Sequence, residues 1–242
     1  MTGQIIDAHS HILPGMDDGS DNARTTEKIC FELKQQGVTT VCATPHFYRW
    51  EERSEDFLNR RRAALEAAQQ ALAGLDVRCG AEVAFFRGIA QSSSLDSLCL
   101  EGTRVLLLEM PFALWTVQDT EEVFSLLLDR GFQVVLAHPE RFLGFSGNRH
   151  HLERLAEAGA YFQINADALL HWQTRHSALE LLRITDAPLL GTDAHNLRNR
   201  APRMQSARRV VARKLGQAFL QRLDETAQRL ICAEQEVTHG KD

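Results

Sequence analysis

Residue types that bind metal ions recur at short, regular spacings in this sequence. His9 and His11 form an H-x-H pair, and Asp193 and His195 form a D-x-H pair near the other end of the chain. In a β-strand, residues i and i+2 point to the same side, so each pair can reach one cation. Mixed imidazole and carboxylate ligands suit Zn²⁺, Mn²⁺ or Fe²⁺. The candidate metal ligands are His9, His11, Asp18, His46, Glu82, Glu109, His138, Asp193 and His195.

These nine candidate ligands are more than one cation can bind. Two or three ions that share bridging carboxylates would use them all, and we expect Glu82 to be a bridge. Two metal ions about 3.5–4 Å apart are a common arrangement for the hydrolysis of phosphate esters. The sequence therefore predicts a metal-dependent phosphoesterase.

Several of these residues also have a purely structural interpretation. Asp18 lies in a D-D-G sequence, which is ordinary turn chemistry. His46 fits a surface loop, and Glu109 fits a buried, paired carboxylate within an apolar strand. Chance would have to place ligand-type residues at the ends of most strands, so the joint pattern favours a metal site.

Short apolar strands separated by amphipathic helices would position these residues. Runs such as VLLLEM and QVVLAH are typical of strands covered on both faces, as in a parallel sheet or barrel. In a parallel barrel the carboxyl ends of the strands converge on one rim, and nearly every predicted strand ends there in a ligand-type residue. The predicted strands are Gln4–His9, Thr39–Thr44, Val77–Glu82, Arg104–Met110, Phe132–His138, Ala160–Ala166 and Pro188–Asp193. The predicted helices are Ala23–Gln36, Glu52–Ala73, Val117–Arg130, Arg149–Ala158, Ser177–Ile184, Pro202–Lys214 and Gly216–Ala233.

Seven predicted strands joined by helices, with no break in composition, indicate one α/β domain of barrel type over residues 1–237. An open, doubly wound sheet is the alternative. We expect residues 238–242 to form a disordered tail.

Composition excludes several classes of function. The net charge of −5 argues against a dedicated nucleic-acid binder. No apolar run approaches the roughly 20 residues of a membrane span, and the first residues lack a secretory signal pattern. The five cysteines are scattered, with no C-x-x-C pair, which favours reduced thiols in a cytoplasmic protein.

Other hydrolytic motifs are missing from the sequence. No cysteine has an arginine six residues later, as a cysteine-dependent phosphatase requires. The sequence contains no G-x-S-x-G elbow, P-loop, G-x-G-x-x-G or H-E-x-x-H motif. Metal-assisted hydrolysis is the chemistry that remains.

A set of short motifs resembles a known superfamily. D-x-H-x-H, T-P-H, G-A-E, A-H-P-E-R and D-A-H-N together resemble the PHP superfamily (polymerase and histidinol phosphatase). Within it, the stretches 9–19, 137–141 and 193–197 are similar to the bacterial capsule-type protein tyrosine phosphatases. The resemblance runs from about Ile5 to Pro202, which is most of the chain.

The resemblance implies a distorted seven-stranded TIM-like (β/α)7 barrel and a site for three metal ions, usually manganese, held by the same nine residues. It implies phosphate contacts from Arg141 and from Arg200, although Arg198 and Arg203 crowd the second loop. It also implies a phosphotyrosine protein as substrate, such as a bacterial tyrosine kinase of capsular or exopolysaccharide synthesis. Some members of the family form homo-oligomers, for which this sequence has no clear motif.

A mechanism follows as a hypothesis. The metal ions would activate a water molecule as hydroxide, which would attack phosphorus while Arg141 and Arg200 hold the phosphoryl oxygens. Asp193, His195 or a water molecule could protonate the leaving group. Aromatic residues just past two strand ends either form a wall for the phosphotyrosine ring or pack at the rim. They are Phe47, Tyr48, Trp50, Phe112 and Trp115.

Other functions stay open at this stage. The same metal site would serve a small-molecule phosphatase of the histidinol-phosphatase or sugar-phosphate type. A metal-dependent nuclease would use the basic run 198–214, although the net charge is negative. A metal-binding scaffold without activity is the third alternative, and the intact set of ligands argues against it.

Overall fold

Every strand pairing in the described part of the chain is parallel. The computed structural model describes residues 4–232, so the predicted tail at 238–242 and the end of the last predicted helix lie outside the described residues. The strands are β1 (Ile5–Ser10), β2 (Val38–Ala43), β3 (His46–Phe47), β4 (Asp76–Cys79), β5 (Glu82–Ala84), β6 (Val105–Glu109), β7 (Gln133–Ala137), β8 (Tyr161–Asn165) and β9 (Pro188–Gly191).

Helices follow most of the strands, as the sequence predicts. The α-helices are α1 (Ala23–Gln35), α2 (Ser54–Ala68), α3 (Val117–Phe124), α4 (Asn148–Glu157), α5 (Arg175–Ile184), α6 (Met204–Leu215) and α7 (Gln217–Ala227). Wider π-type turns extend α3 over Ser125–Asp129 and α7 over Gln228–Cys232. Short 3-10 helices cover Ile89–Gln91, Leu95–Leu98, Pro139–Gly144 and Asp167–Leu169. None of the helices described between residues 4 and 232 is long and apolar enough to cross a bilayer.

The strands form two sheets rather than one run of seven. One sheet has the order β1-β2-β4, and the other has the order β3-β5-β6-β7-β8-β9. The predicted strand 39–44 corresponds to β2, and the chain is interrupted before β3, because Pro45 lacks the N–H that would continue the ladder. The predicted strand 77–82 is likewise divided at Gly80 into β4 and β5. Both interruptions occur where the chain passes from the first sheet to the second.

Backbone hydrogen bonds join β1 to the segment that follows β9. The Asp193 N–H donates to the His9 carbonyl at 2.8 Å, and the His11 N–H donates to the Ala194 carbonyl at 3.0 Å. The buried Asp7 carboxylate accepts a further bond of 2.7 Å from the Thr192 N–H. The first and last strands therefore hold each other in a fixed register.

Strand alternation explains the continuous apolar runs. Leu106 and Leu108 of β6 pack in the larger core cluster, which the helices share. Val105 and Leu107 pack instead in a smaller inner cluster with residues of β1, β2, β7 and β9. Successive residues point to opposite faces, and both faces of β6 are buried, so nearly every position is apolar. Residues of both sheets share the inner cluster, and the end of α7 covers it.

Gly191 marks the closest approach of β9 to the first strand. An added Cβ at this position would lie 2.7 Å from Cβ of His9 and 2.7 Å from Nε2 of Gln163. We expect Gly191→Ala to lower the free energy of unfolding by about 1–3 kcal/mol, because the over-packed strand must shift. Urea unfolding followed by circular dichroism measures the change.

Gly144→Ala is the matched control, because an added Cβ there meets no atom within 4 Å. We expect it to change the free energy of unfolding by less than about 0.5 kcal/mol. Equal stability of the two variants would contradict the over-packing argument.

Candidate metal centre

All nine predicted ligands come together in one region of the structure. They fall into four groups, within each of which the possible ligand atoms lie within 4.8 Å of one another. The groups overlap, since Glu82 and three histidines each belong to two of them. The groups are His11–Asp18–His46–His195, His9–His11–Asp193, His9–Glu82–His138 and His46–Glu82–Glu109.

Glu82, the first residue of β5, lies at the centre of these groups and is fully buried. Its Oε2 lies 3.0 Å from Nδ1 of His46, 3.2 Å from Nε2 of His11 and 3.5 Å from Nε2 of His9. This oxygen nevertheless satisfies hydrogen-bond geometry with none of them. A buried carboxylate oxygen surrounded by imidazole nitrogens without hydrogen bonds fits an atom that shares cations with them. The donor set therefore fits divalent metal ions.

One of the inner groups gathers around Asp193. Its Oδ1 lies 3.3 Å from Nε2 of His9 and 3.4 Å from Nε2 of His11. On the other side of Glu82, His138 Nε2 lies 2.8 Å from the Oε1 of that carboxylate and 3.6 Å from Oε1 of Glu109. These side chains come from the ends of β1, β5, β6, β7 and β9, as expected for the rim of a parallel sheet.

The outer group contains Asp18, the most accessible of the nine predicted ligands. Its Oδ1 lies 3.2 Å from Nε2 of His195 and 3.7 Å from Nε2 of His46. The Asp18 side chain is 67% exposed, whereas the other two residues are mostly buried. The group therefore opens to solvent on the Asp18 side.

Two of the predicted ligands adopt a backbone conformation that L-residues rarely occupy. His138 has φ 32° and Asp193 has φ 52°, and no other non-glycine residue between 4 and 232 has a positive φ. His138 follows directly after β7, and Asp193 lies two residues past the end of β9. Such a conformation costs about 1–3 kcal/mol and is found mainly at functional sites. Here both residues with this conformation are predicted ligands that lie just past the end of a strand.

The surroundings shift the pKa values of Glu82 and Glu109 in opposite directions. Burial alone would raise the pKa of Glu82, but the charge of His9 and the imidazoles of His11 and His138 hold it well below its usual range. Burial, together with the negative charge of Glu82, raises the pKa of Glu109 to about 7. A divalent cation between the two carboxylates would remove the repulsion that raises the pKa of Glu109.

Two of the histidines are held in the neutral form that binds metal ions. Burial lowers the pKa of His138 to about 4. Burial and the nearby charge of His11 lower the pKa of His195 to about 4. A metal ion binds the deprotonated lone pair of an imidazole, so these side chains need not lose a proton before they coordinate.

Asp17 supports the groups, and the sequence analysis did not single it out. Its Oδ2 lies 2.7 Å from Nδ1 of His11 and accepts a bond of 2.9 Å from the His46 N–H. The carboxylate fixes the ring of His11 so that Nε2 is directed at Glu82. The D-D-G sequence contained the signal, but its turn character could not reveal which aspartate faces inward.

A chain of amides from β8 supports Asp193 and His138. Asn165 Nδ2 donates to Asp193 Oδ2 at 2.9 Å, and Gln163 Nε2 donates to Asn165 Oδ1 at 2.9 Å. Gln163 Oε1 also accepts from the His138 N–H at 3.2 Å. Asn165 is the last residue of β8, and its side chain supports the predicted ligand Asp193.

The two arginines predicted to contact phosphate, Arg141 and Arg200, both form ion pairs with Asp193. Arg141 Nη2 lies 2.5 Å from Asp193 Oδ2, and Arg200 Nη2 lies 2.7 Å from Asp193 Oδ1. Arg200 Nη1 also lies 3.4 Å from Asp18 Oδ2. Arg203 instead pairs with the carboxylate of residue 167, and Arg198 makes no ion pair within residues 4–232. Arg200 is therefore the arginine of its loop that lies beside the ligand groups.

Two of the five aromatic residues past the strand ends pack in the core and do not form a wall. Phe47 and Trp115 are buried in the core, because each packs against a phenylalanine of a neighbouring segment. Tyr48 stacks on His46 at a centroid distance of 5.2 Å, and Trp50 packs on Tyr48 at 5.3 Å. Trp50 and Phe112 are exposed. Of the five aromatic residues, only Tyr48, Trp50 and Phe112 therefore lie outside the core, where a substrate could contact them.

Comparison with known proteins agrees with this geometry. The family described as capsular polysaccharide synthesis, CpsB/CapC, matches residues 5–231. The chain is 30% identical to tyrosine-protein phosphatase YwqE of Bacillus subtilis, over 94% of this chain and 91% of that protein. It is 28% identical to tyrosine-protein phosphatase CpsB of Streptococcus pneumoniae, over 88% of this chain and 91% of that protein.

Solved structures give the same result for the fold. A structure from the study of YwqE and CpsB, described there as unique metal-dependent tyrosine phosphatases, superposes with a TM-score of 0.81 at 27% identity, covering 96% of this chain and 95% of the other. Histidinol phosphate phosphatase from Lactococcus lactis shares the fold, with a TM-score of 0.51 at 16% identity, covering 86% of this chain and 92% of that one. The resemblance to the capsule-type phosphatases is confirmed, and this chain belongs to the CpsB/CapC family.

Proposed function

We propose that this chain is a metal-dependent protein tyrosine phosphatase that acts in capsular or exopolysaccharide synthesis. One observation carries the proposal: nine ligand-type side chains form overlapping groups at one rim, with two arginines beside them. The relatives named tyrosine-protein phosphatases cover nearly the whole chain, which supports the same activity here.

The proposal includes the architecture around the site. We propose one domain over residues 1–237 that closes as a distorted seven-stranded TIM-like barrel, in which β2 and β3, and likewise β4 and β5, count as single interrupted strands. The hydrogen bonds between β1 and the end of β9 support closure. The inner cluster shared by both sheets supports it as well.

The nine residues would hold two or three divalent cations, with manganese proposed first and iron or zinc as alternatives. Cations bound there supply Lewis acidity, which activates water as a nucleophile and stabilises charge on phosphoryl oxygens. Glu82 is the proposed bridging ligand, because it is the one carboxylate among the nine predicted ligands that belongs to two of the four groups.

Arg141 and Arg200 would bind the phosphate. Both are paired with Asp193, and a phosphate at the open side of the groups offers them further acceptor oxygens of the same charge. Their planar forks suit two oxygens at once and would steady the charge of the transition state. Asp193, His195 or a water molecule would protonate the leaving oxygen, although a tyrosinate with a pKa near 10 needs little assistance.

The proposed substrate is a phosphotyrosine protein, for example a tyrosine kinase of polysaccharide synthesis. We also propose a cytoplasmic location and self-association into a homo-oligomer, in line with the family. Asp18 opens the groups to solvent, and this accessibility supports a substrate that is a side chain on a larger molecule.

The metal requirement is the first test. We expect chelator to abolish turnover of a phosphotyrosine peptide and Mn²⁺ to restore it. His138→Ala should lower kcat/KM at least about 100-fold, because it removes a buried ligand. The measurement is phosphate release from phosphotyrosine peptide and from histidinol phosphate, with strand cleavage of DNA followed in parallel.

His176→Ala is the control, because that side chain is 84% exposed and lies outside the ligand groups. Turnover that survives chelation, or that is unaffected in His138→Ala, would contradict the metal mechanism. Preference for histidinol phosphate over the peptide by orders of magnitude would replace the proposed substrate with a small molecule.

Asp17→Asn tests the support of His11. We expect the Mn²⁺ concentration for half-maximal activity to rise about 10- to 100-fold, because the ring loses the carboxylate that orients it. At saturating Mn²⁺, kcat should recover to within a few-fold of the original. Asp21→Asn, at an exposed position in the same loop, is the control. An unchanged Mn²⁺ requirement in Asp17→Asn would refute the orienting role.

Single alanine substitutions test the two arginines. We expect Arg141→Ala and Arg200→Ala each to lower kcat/KM by about 100- to 1,000-fold, the usual loss for a donor that stabilises transition-state charge. Arg198→Ala, in the same loop but unpaired within residues 4–232, should have little effect. Calorimetric titration with Mn²⁺ checks that metal binding persists. If Arg198→Ala lost as much activity as Arg200→Ala, the assignment of Arg200 as the phosphate-binding arginine of its loop would be wrong.

A further inference from the structure

One cleft is lined by residues that follow two of the strands carrying predicted ligands. It has a volume of about 390 Å³ and lies between the segment after β3 and the segment after β5. His46 begins β3 and Glu82 begins β5, so the residues that line the cleft follow two predicted ligands within a few positions in the chain. Its polar lining comes mainly from Arg49, Arg53, Ser54, Gln91 and residues 92–94.

The lining of this cleft suits an anion. Two guanidinium groups and several serine hydroxyls can all donate hydrogen bonds to acceptor oxygens. Helix α2 begins at Ser54 on the same wall, and the residue before it provides no side-chain cap. The uncapped N–H groups of a first turn add positive potential, which the acidic Glu55 and Asp56 of that turn offset in part.

The two arginines are available for a ligand. Arg49 makes no ion pair with any residue in the range 4–232. Arg53 pairs with Glu55 at 3.2 Å, but both side chains are more than three-quarters exposed, so the pair is weak and can exchange. The neighbouring Glu52 is already engaged by Arg60, at 2.7 Å from Nη2 to Oε1. A ligand carboxylate or phosphate therefore meets little competition.

The wall opposite the arginines is fixed in place. Glu122 of α3 accepts from the Gly88 N–H at 2.8 Å with one oxygen and from the Ala90 N–H at 2.9 Å with the other. Arg130 Nη1 donates to the carbonyls of Ala90 at 2.6 Å and Ser92 at 3.2 Å. Binding in the cleft therefore does not require this segment to become ordered first, which favours affinity.

Two aromatic side chains extend from the predicted ligand His46 along the chain segment that carries Arg49. Tyr48 stacks on His46, and Trp50 packs on Tyr48, while Arg49 lies between them in the chain. A peptide with its phosphotyrosine at the groups would lie along these rings. An extended chain advances about 3.3 Å per residue, so a residue a few positions away would reach the arginines.

We propose that the Arg49–Arg53 cleft is a second anion subsite, which binds an acidic or phosphorylated residue that flanks the phosphotyrosine of the substrate. The inference rests on the proposed phosphatase function and adds a sequence preference to it. A phosphotyrosine flanked only by neutral residues would contact the metal-ligand groups but would make no contact with the two arginines of the cleft.

Matched peptides test the preference. Each carries one phosphotyrosine and, at each flanking position in turn, glutamate, glutamine or phosphoserine. With Mn²⁺ we expect kcat/KM to be higher by about tenfold for the best acidic peptide, mainly through KM, since a charge-assisted contact of this kind is worth about that factor. In Arg49→Ala/Arg53→Ala the ratio of acidic to neutral peptide should fall to about one. Arg62→Ala, at an exposed position of α2 outside the cleft, should keep the ratio.

A binding measurement separates this inference from the phosphatase activity. Fluorescence anisotropy of the labelled, unphosphorylated acidic peptide reports on the cleft without turnover. Weaker binding to Arg49→Ala/Arg53→Ala than to Arg62→Ala supports the subsite. Equal binding, or an acidic-to-neutral ratio near one in the unmodified protein, overturns it and leaves the phosphatase proposal standing. Absence of phosphotyrosine hydrolysis in the unmodified protein would instead refute the phosphatase proposal.

Discussion

The pairing of β1 with the segment after β9 is the contact on which the metal-ligand groups depend. The Asp193 N–H donates to the His9 carbonyl. This bond holds a predicted ligand from near one end of the chain beside a predicted ligand from near the other end. The buried carboxylate of Asp7 holds Thr192, 185 residues away in the sequence, through both its N–H and its hydroxyl. Long-range strand pairing of this kind fixes positions to within the length of a hydrogen bond. Without it, each pair of ligands would face solvent alone.

The sequence predicted which residues would come together better than it predicted the strands, and for a physical reason. Each ligand such as Glu109 or His138 needs only a strand end, and parallel strand ends meet at one rim whatever the exact strand count. The interruptions at Pro45 and Gly80 depend on how two sheets meet, which no local pattern records. The sequence also did not show whether a side chain points inward or outward. It left open whether Phe47 lines a wall for the substrate, and this residue of a two-residue strand lies in the core.

Charge explains why the groups need cations and why their supports are polar. Glu82, Asp193 and Glu109 lie within one buried region, where like charges repel strongly. Histidines and two arginines offset part of this charge, and divalent cations would offset the rest. Because the folded chain alone assembles these ligands, bound cations would also stabilise it against unfolding. Supporting residues such as Asp17 and Asn165 therefore hold the ligands through hydrogen bonds, which fix orientation without apolar contact.

The surroundings of the rim favour a macromolecular substrate over a small one. Sites for small molecules are usually enclosed and bury most of their ligand. Here the outer group opens at Asp18, and exposed apolar side chains follow several strand ends, among them Trp50, Phe112 and Trp172. Exposed apolar groups around a polar site are typical of surfaces that bind other proteins. A phosphorylated side chain that projects from a protein would reach the ligand groups while its flanking residues contact this apolar border.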